Sequence, residues 1–132
     1  LPHWQARARA DGLAGRVRFL GFRADVPELL AGLDALAHPA RSEPFGLGVL
    51  EAVCRGLPAV VSKDAGVAEL LPAEWDPLLL PDPEDAAALA AALRAWRRDA
   101  DGWAARVRPT ADRLRGRTWA DMAAEFVAVT VC

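Results

Sequence analysis

At 132 residues the chain has room for one domain with a hydrophobic core of its own. Its 53% hydrophobic and 26% charged residues are the balance of a globular protein in water. A net charge of −2 leaves no basic surplus for nucleic acid or an acidic membrane, and no apolar run approaches the ~18 residues that span a bilayer.

The chain opens Leu1-Pro2-His3-Trp4, with neither an initiator Met nor a signal peptide, and is expected to begin inside a longer one. Residues 4–13 read as a helix closed by Gly12 and Gly15. The short apolar run 16–20, β-branched near its start and followed by Gly21, is predicted as a buried strand. Asp25 is placed as an N-cap, with Pro27 in the first turn and Glu28 three residues on. Leu29, Leu30 and Leu33 then share one face. Residues 33–38, 59–62 and 77–80 give three further strands, and 47–55 and 67–71 are short helices between them. Gly56 stops the first of these helices, with Pro58 just beyond. Strands alternating with short helices predict an α/β fold, a partial Rossmann-like, doubly wound parallel sheet of about four strands.

From Pro83 onward the pattern is helical, so the expected division is an α/β part over 1–82 and C-terminal helices over 83–132. The first helix runs to Arg98, with Ala88, Leu89, Ala92, Leu93 and Trp96 on one stripe. A second starts at Asp101 and is expected to break or kink near Pro109. A third covers 119–129 with Met122, Phe126 and Val127. Trp75, Trp96, Trp103 and Trp119 are expected to pack this helical end. Cys54 and Cys132 are too few for a disulfide framework and read as free thiols of a reducing cytosol. Lys63 is the only lysine among 16 basic residues, a bias towards arginine that points to a GC-rich bacterial genome.

The run 38–58 carries the chemistry. Glu43 and Glu51 bracket a Pro-Phe-Gly-Leu-Gly loop that opens a helix just after an apolar strand. A glycine-flanked helix N-terminus offers unpaired N–H groups and partial positive charge, which suit a phosphate. Ionised carboxylates only accept hydrogen bonds, which suits hydroxyls. A diphosphate with a polyol at each end matches that set, and a nucleotide sugar is such a molecule. Two glutamates eight apart are by themselves weak evidence: Glu43 could serve the helix dipole and Glu51 could pair with Arg55. His38, at a strand end before Pro39, reads as a structural histidine, because no carboxylate partner is placed by sequence. Lys63 and Asp64 follow a strand on the carboxyl edge, where a turn role and a ligand contact are equally open. There is no zinc spacing of Cys and His, no Walker loop and no Gly-x-Ser-x-Gly elbow.

The strand ending in His38-Pro39, the Ser42-Glu43-x-Phe45-Gly46-Leu47 stretch, Glu51, and Gly56-Leu57-Pro58-Ala59-Val60-Val61 with Gly66 and Glu69 beyond resemble glycosyltransferase family 4. Residues 17–22, the Pro81–Asp85 stretch with its Ala/Leu helix, and Thr118-Trp119 extend the likeness over most of the chain. It departs at Ala65-Gly66, where the family has two glycines, and in lacking a glycine before Leu78. The resemblance implies the GT-B fold and retaining sugar transfer from a nucleoside diphosphate sugar, with no cofactor and no metal. It implies that Glu43 holds hydroxyls of the transferred sugar and Glu51 the ribose hydroxyls. Backbone N–H groups of Phe45, Gly46 and Leu47 would face sugar and phosphates, and Phe22 and Arg23 would lie near the base. In the family's strand order 3-2-1-4-5-6 the first two strands are central, and they precede the first strand read here. The chain is therefore expected to be an N-terminally truncated, C-terminal donor domain, inactive alone, with the acceptor bound by a missing N-terminal domain. Either the central strands are encoded upstream, or the first two strands here pair directly in a rearranged sheet. The parent is expected in the cytoplasm, with peripheral membrane association allowed. The rival readings are a non-catalytic nucleotide- or partner-binding domain, and a GT-B epimerase or phosphorylase.

Overall fold

Ala-Val-Val-Ser at 59–62 is apolar and β-branched at its centre, the composition of a strand covered on both faces. In the computed structural model, which describes residues 1–130, it is the middle strand of a three-stranded parallel sheet. Along the chain the elements are α1 (Pro2–Ala10), α2 (Val26–Ala31), β1 (Leu36–His38), α3 (Leu47–Cys54), β2 (Ala59–Ser62), 3₁₀ stretches Gly66–Leu70 and Ala73–Leu78, β3 (Leu79–Leu80), α4 (Ala86–Arg98), α5 (Ala100–Arg115) and α6 (Trp119–Thr130). The order is β1-β2-β3, with Leu36 opposite Ala59, His38 opposite Val61, and Ser62 opposite Leu80. All four residues of β2 are buried.

The core gathers on this strand. Val49 and Val53 of α3, Val67, Trp75, Leu80 and Val107 of α5 form one cluster with Val60 and Val61. Leu30 of α2 packs with Ala52 and Leu57 in a second, smaller one. The helix α4 begins with its N-cap made: Asp85 accepts from the N–H groups of Ala87 at 2.8 Å and Ala88 at 2.9 Å. No helix among the described residues is long and apolar enough to cross a membrane.

The α/β class stands, with corrections. Residues 16–20 form no strand: Val17, Phe19 and Leu20 are 40%, 36% and 48% exposed, and local turns to Leu13 O hold the start of the run. A strand is stable only against a hydrogen-bonded neighbour. Among the described residues β1, β2 and β3 pair with one another and not with this run. The sheet therefore has three strands, and the direct pairing considered for a rearranged sheet does not occur. Pro109 does not break α5, which continues six residues beyond it to Arg115. The buried residues Trp103, Val107, Thr110 and Ala111 lie on both sides of Pro109 and hold the helix together through packing. Asp25 stands at the N-cap of α2 but makes no cap bond, because its carboxylate is taken by Arg23. Of the tryptophans, 75 and 103 are core and meet edge to face at 6.0 Å, whereas Trp119 is 82% exposed. Cys54 is a half-buried free thiol; Cys132 lies outside the described residues.

Candidate functional site

The chain leaves β1 at His38 and returns at α3 through a loop that two neighbours hold. Ser62, at the end of β2 and 2% exposed, donates its hydroxyl to Ala40 O at 2.7 Å. The Gly66 N–H, at the start of the first 3₁₀ stretch, donates to Glu43 O at 3.1 Å. Two glycines permit this closeness. A Cβ on Gly66 would stand 2.2 Å from Pro44 O. Gly46 has φ +96° and ψ 49°, and its Cβ would stand 2.7 Å from Val67 Cγ1. Ala65 is buried with φ −72°, so only the second of the two expected glycines is needed by the geometry.

This backbone delivers Glu43 to a clamp. Its Oε1 accepts the Phe45 N–H at 3.3 Å, and its Oε2 lies 3.2 Å from His38 Nε2. Both side chains are about one-third exposed or less, 27% for Glu43 and 32% for His38. The Glu43 carboxyl is held below its ordinary value, chiefly by the Phe45 N–H. Partial burial opposes this, and the His38 contact and the Gly46 N–H add to it. Sequence reasoning missed the partnership, treating His38 as lacking a carboxylate. The available signal was topological: the last side chain of a parallel strand and the loop after it share the carboxyl edge.

Directly after the clamp comes the start of α3. Gly46 is its N-cap, with no side chain capping the helix, and its carbonyl receives Val49 and Leu50 N–H at 3.0 Å. Leu47, 65% exposed, leads the first turn. The Phe45 N–H, expected to face a ligand, is engaged by Glu43. Glu51 is exposed one turn further along, with its carbonyl accepting from Arg55 at 3.3 Å. Glu43, Phe45, Gly46, Leu47 and Glu51 thus occupy one loop and the helix it opens. Phe22 and Arg23 stand apart: Phe22 is 96% exposed and Arg23 pairs with Asp25 at 2.7 Å. Among the described residues no hydrogen bond or ion pair joins them to the clamp. Lys63 and Asp64 are exposed after β2, and Lys63 N–H donates to Leu80 O at 2.8 Å. Arg41 is ion-paired with Glu84 at the same edge. A cleft of about 580 Å³ starts at Phe45 and is lined onward by Leu50, Leu70, Leu114 and Trp119, without Glu43. Among the described residues no group of three His, Cys, Asp or Glu could hold a metal ion.

Chemically the site is an oriented, ionised acceptor beside an uncapped helix N-terminus. It can accept from hydroxyls and donate to an anion. Residues 2–99 match the family described as glycosyl transferases group 1. Probable sucrose-phosphate synthase 5 of Oryza sativa subsp. japonica is 44% identical over 66 residues, covering 50% of this chain and 6% of that protein. Lipopolysaccharide glucosyltransferase WaaG of Escherichia coli K12 is 38% identical over 68 residues, covering 52% of this chain and 18% of that protein. The crystal structure of Anabaena HepE in complex with UDP superposes with a TM-score of 0.81 at 29% identity, over 98% of this chain and 36% of HepE. A second HepE structure, with UDP and glucose, matches with the same score. The chain spans about a third of HepE and less of the two curated relatives.

Proposed function

The chain belongs to glycosyl transferases group 1, and on that premise we propose that it is the donor-binding part of a retaining, family 4 glycosyltransferase of the GT-B fold. The parent moves a sugar from a nucleoside diphosphate sugar to an acceptor hydroxyl in the bacterial cytoplasm. The single observation that carries this is the Glu43 clamp set beside the uncapped start of α3. In this reading Glu43 accepts from hydroxyls of the transferred sugar, and the first turn of α3, from Leu47 on, receives the diphosphate. Phe45 and Gly46 contribute through the N–H groups that hold Glu43. Glu51 accepts from the ribose, and Phe22 and Arg23 border the base. Stabilising the departing diphosphate is the protein's main contribution to such a transfer, and a preorganised helix terminus supplies part of it. Residues 1–82 carry the site and residues 83–132 the helices that brace it, while the acceptor is held by a domain outside these 132 residues. The complexes of HepE with UDP and with UDP and glucose support a nucleotide-sugar donor.

Titration calorimetry or ligand-detected NMR with UDP, GDP, UDP-glucose, GDP-mannose and inorganic phosphate tests the reading. Nucleotide binding is expected between high micromolar and millimolar, about −4 to −6 kcal/mol. Equal affinity for phosphate and for the nucleotides would overturn it. Labelled-donor transfer tests the division of labour, because donor and acceptor must be held together for transfer. Acceptor-dependent turnover by residues 1–132 alone, matching that of a longer chain containing them, would defeat it.

A further inference from the structure

We propose that His38 is the positioning residue of this site: anchored in the sheet, it fixes the Glu43 carboxylate in the orientation that receives the donor sugar. This rests on the reading of Glu43 given above. The need for such a residue follows from where Glu43 stands. Its backbone is held by the Gly66 N–H, yet three rotatable bonds separate that backbone from the carboxylate, and the loop is neither helix nor strand. The Phe45 N–H, 3.3 Å from Oε1, and the Gly46 N–H hold the carboxylate from the loop, which is itself the part to be fixed. The contact that ties it to the sheet is on the other oxygen, and His38 supplies it at 3.2 Å. Each carboxylate oxygen can accept more than one hydrogen bond, so both remain open to a ligand after the clamp is made.

His38 suits the task because its own position is set by the fold. It is the last residue of β1, in register with Val61 of the fully buried strand β2. Its ring is partly enclosed, so it has fewer alternatives than a surface side chain. Donation to Oε2 places a proton on Nε2. That nitrogen is committed to Glu43, so its effect on the substrate passes through the glutamate. A histidine here is therefore more than a residue filling a strand end. It carries the rigidity of the sheet into a carboxylate that sits on a loop.

The experiment compares His38→Leu, which removes the donor, with His38→Gln, whose amide N–H can stand in for Nε2. The probes are the pairs UDP/UDP-glucose and GDP/GDP-mannose, and the readout is the gain in affinity that the sugar adds to the bare nucleotide. For the pair the protein prefers, His38→Leu is expected to cut that gain by about three- to ten-fold, the scale of one hydrogen bond. Binding of the bare nucleotide should stay within about two-fold, since the clamp does not touch the nucleotide. His38→Gln should restore most of the gain, and in a Glu43→Ala background His38→Leu should add no further loss. If Glu43→Ala abolishes the gain while His38→Leu leaves it whole, the positioning role is overturned and the reading of Glu43 stands. If Glu43→Ala itself leaves the gain whole, that reading is what fails. Should His38→Leu fail to fold by circular dichroism, the His38 imidazole ¹⁵N signals of the unmutated protein decide. They are expected to move on adding the sugar nucleotide beyond their movement with the bare nucleotide, and identical spectra in the two cases would overturn the proposal.

Discussion

At the scale of single residues, Gly46 sits where two constraints meet, a left-handed backbone and a wall 2.7 Å from where a Cβ would stand. An L-residue in that conformation costs about 1–2 kcal/mol, and the contact with buried Val67 adds to it. Gly46→Ala is therefore expected to destabilise the chain by about 2–3 kcal/mol in urea unfolding and to weaken nucleotide binding, because the start of α3 must shift. Wild-type stability would contradict the geometry. The two glutamates are expected to separate by ligand. Glu51→Ala should weaken bare UDP or GDP by about 5- to 100-fold, the range for a hydrogen bond to a charged group. Glu43→Ala should spare the bare nucleotide and lose the sugar; equal losses of bare nucleotide would reverse the assignment.

Glu43 also has a pH signature. Its carboxyl lies below its ordinary value of 4.5 in the folded chain. Between that lowered value and 4.5 the unfolded chain binds more protons, so stability rises with pH there. The contribution is whole above 4.5 and is lost as pH falls through the lowered value. A ¹³C titration of the Glu43 carboxyl should give a midpoint below that of the unfolded chain, and a midpoint at or above it would mean the Phe45 and His38 contacts are not made in solution.

At the scale of elements, α4 was legible because its signals agree. Ala88, Leu89, Ala92, Leu93 and Trp96 repeat at helical spacing and do join the main core, and Asp85 caps the N-terminus. Asp85→Ala is expected to cost about 0.5–2 kcal/mol, read as a lower unfolding midpoint. In α5 the break allowed for at Pro109 does not occur, because a local rule met a tertiary one. Proline removes one helical hydrogen bond and crowds the preceding turn, a cost of about 3 kcal/mol. Burial on both sides of it outweighs that cost. Arg115 and Arg113 add ties, donating to Cys54 O at 2.7 Å and Leu70 O at 2.6 Å. Pro109→Ala, at an exposed position, should therefore stabilise the chain by up to about 3 kcal/mol. Destabilisation would show that the proline is instead required by its surroundings.

At the scale of the whole molecule, one residue bridges the sheet and the C-terminal helices. Trp75 is fully buried and meets Trp103 of α5, over whose ring Arg106 stacks at 4.4 Å from the centroid. Trp75→Ala is expected to cost about 3–5 kcal/mol, a large share of the 5–15 kcal/mol that holds a typical domain. A cooperative transition close to that of the unmutated chain would mean that the two layers do not depend on each other.

The sequence by itself determined the α/β class, the strand at 59–62, the helices after Pro83 and the loop-to-helix run from Glu43 to Glu51. All of these are set by short-range patterns, namely hydrophobic period, caps and glycine stops. Tertiary structure decided what depends on partners distant in the chain or on the path of a loop. Residues 16–20 have the composition of a strand, yet pairing rather than composition makes one, and no neighbour is present among the described residues. Gly66 is required because a loop about twenty residues earlier passes against it, and Ala65 is tolerated because its backbone is extended and its methyl group packs in the core. His38 and Glu43 are five residues apart, but only the reversal of the chain after β1 turns that spacing into a contact. Spacing along a chain records which groups are available, whereas the loop's path in space decides which of them meet.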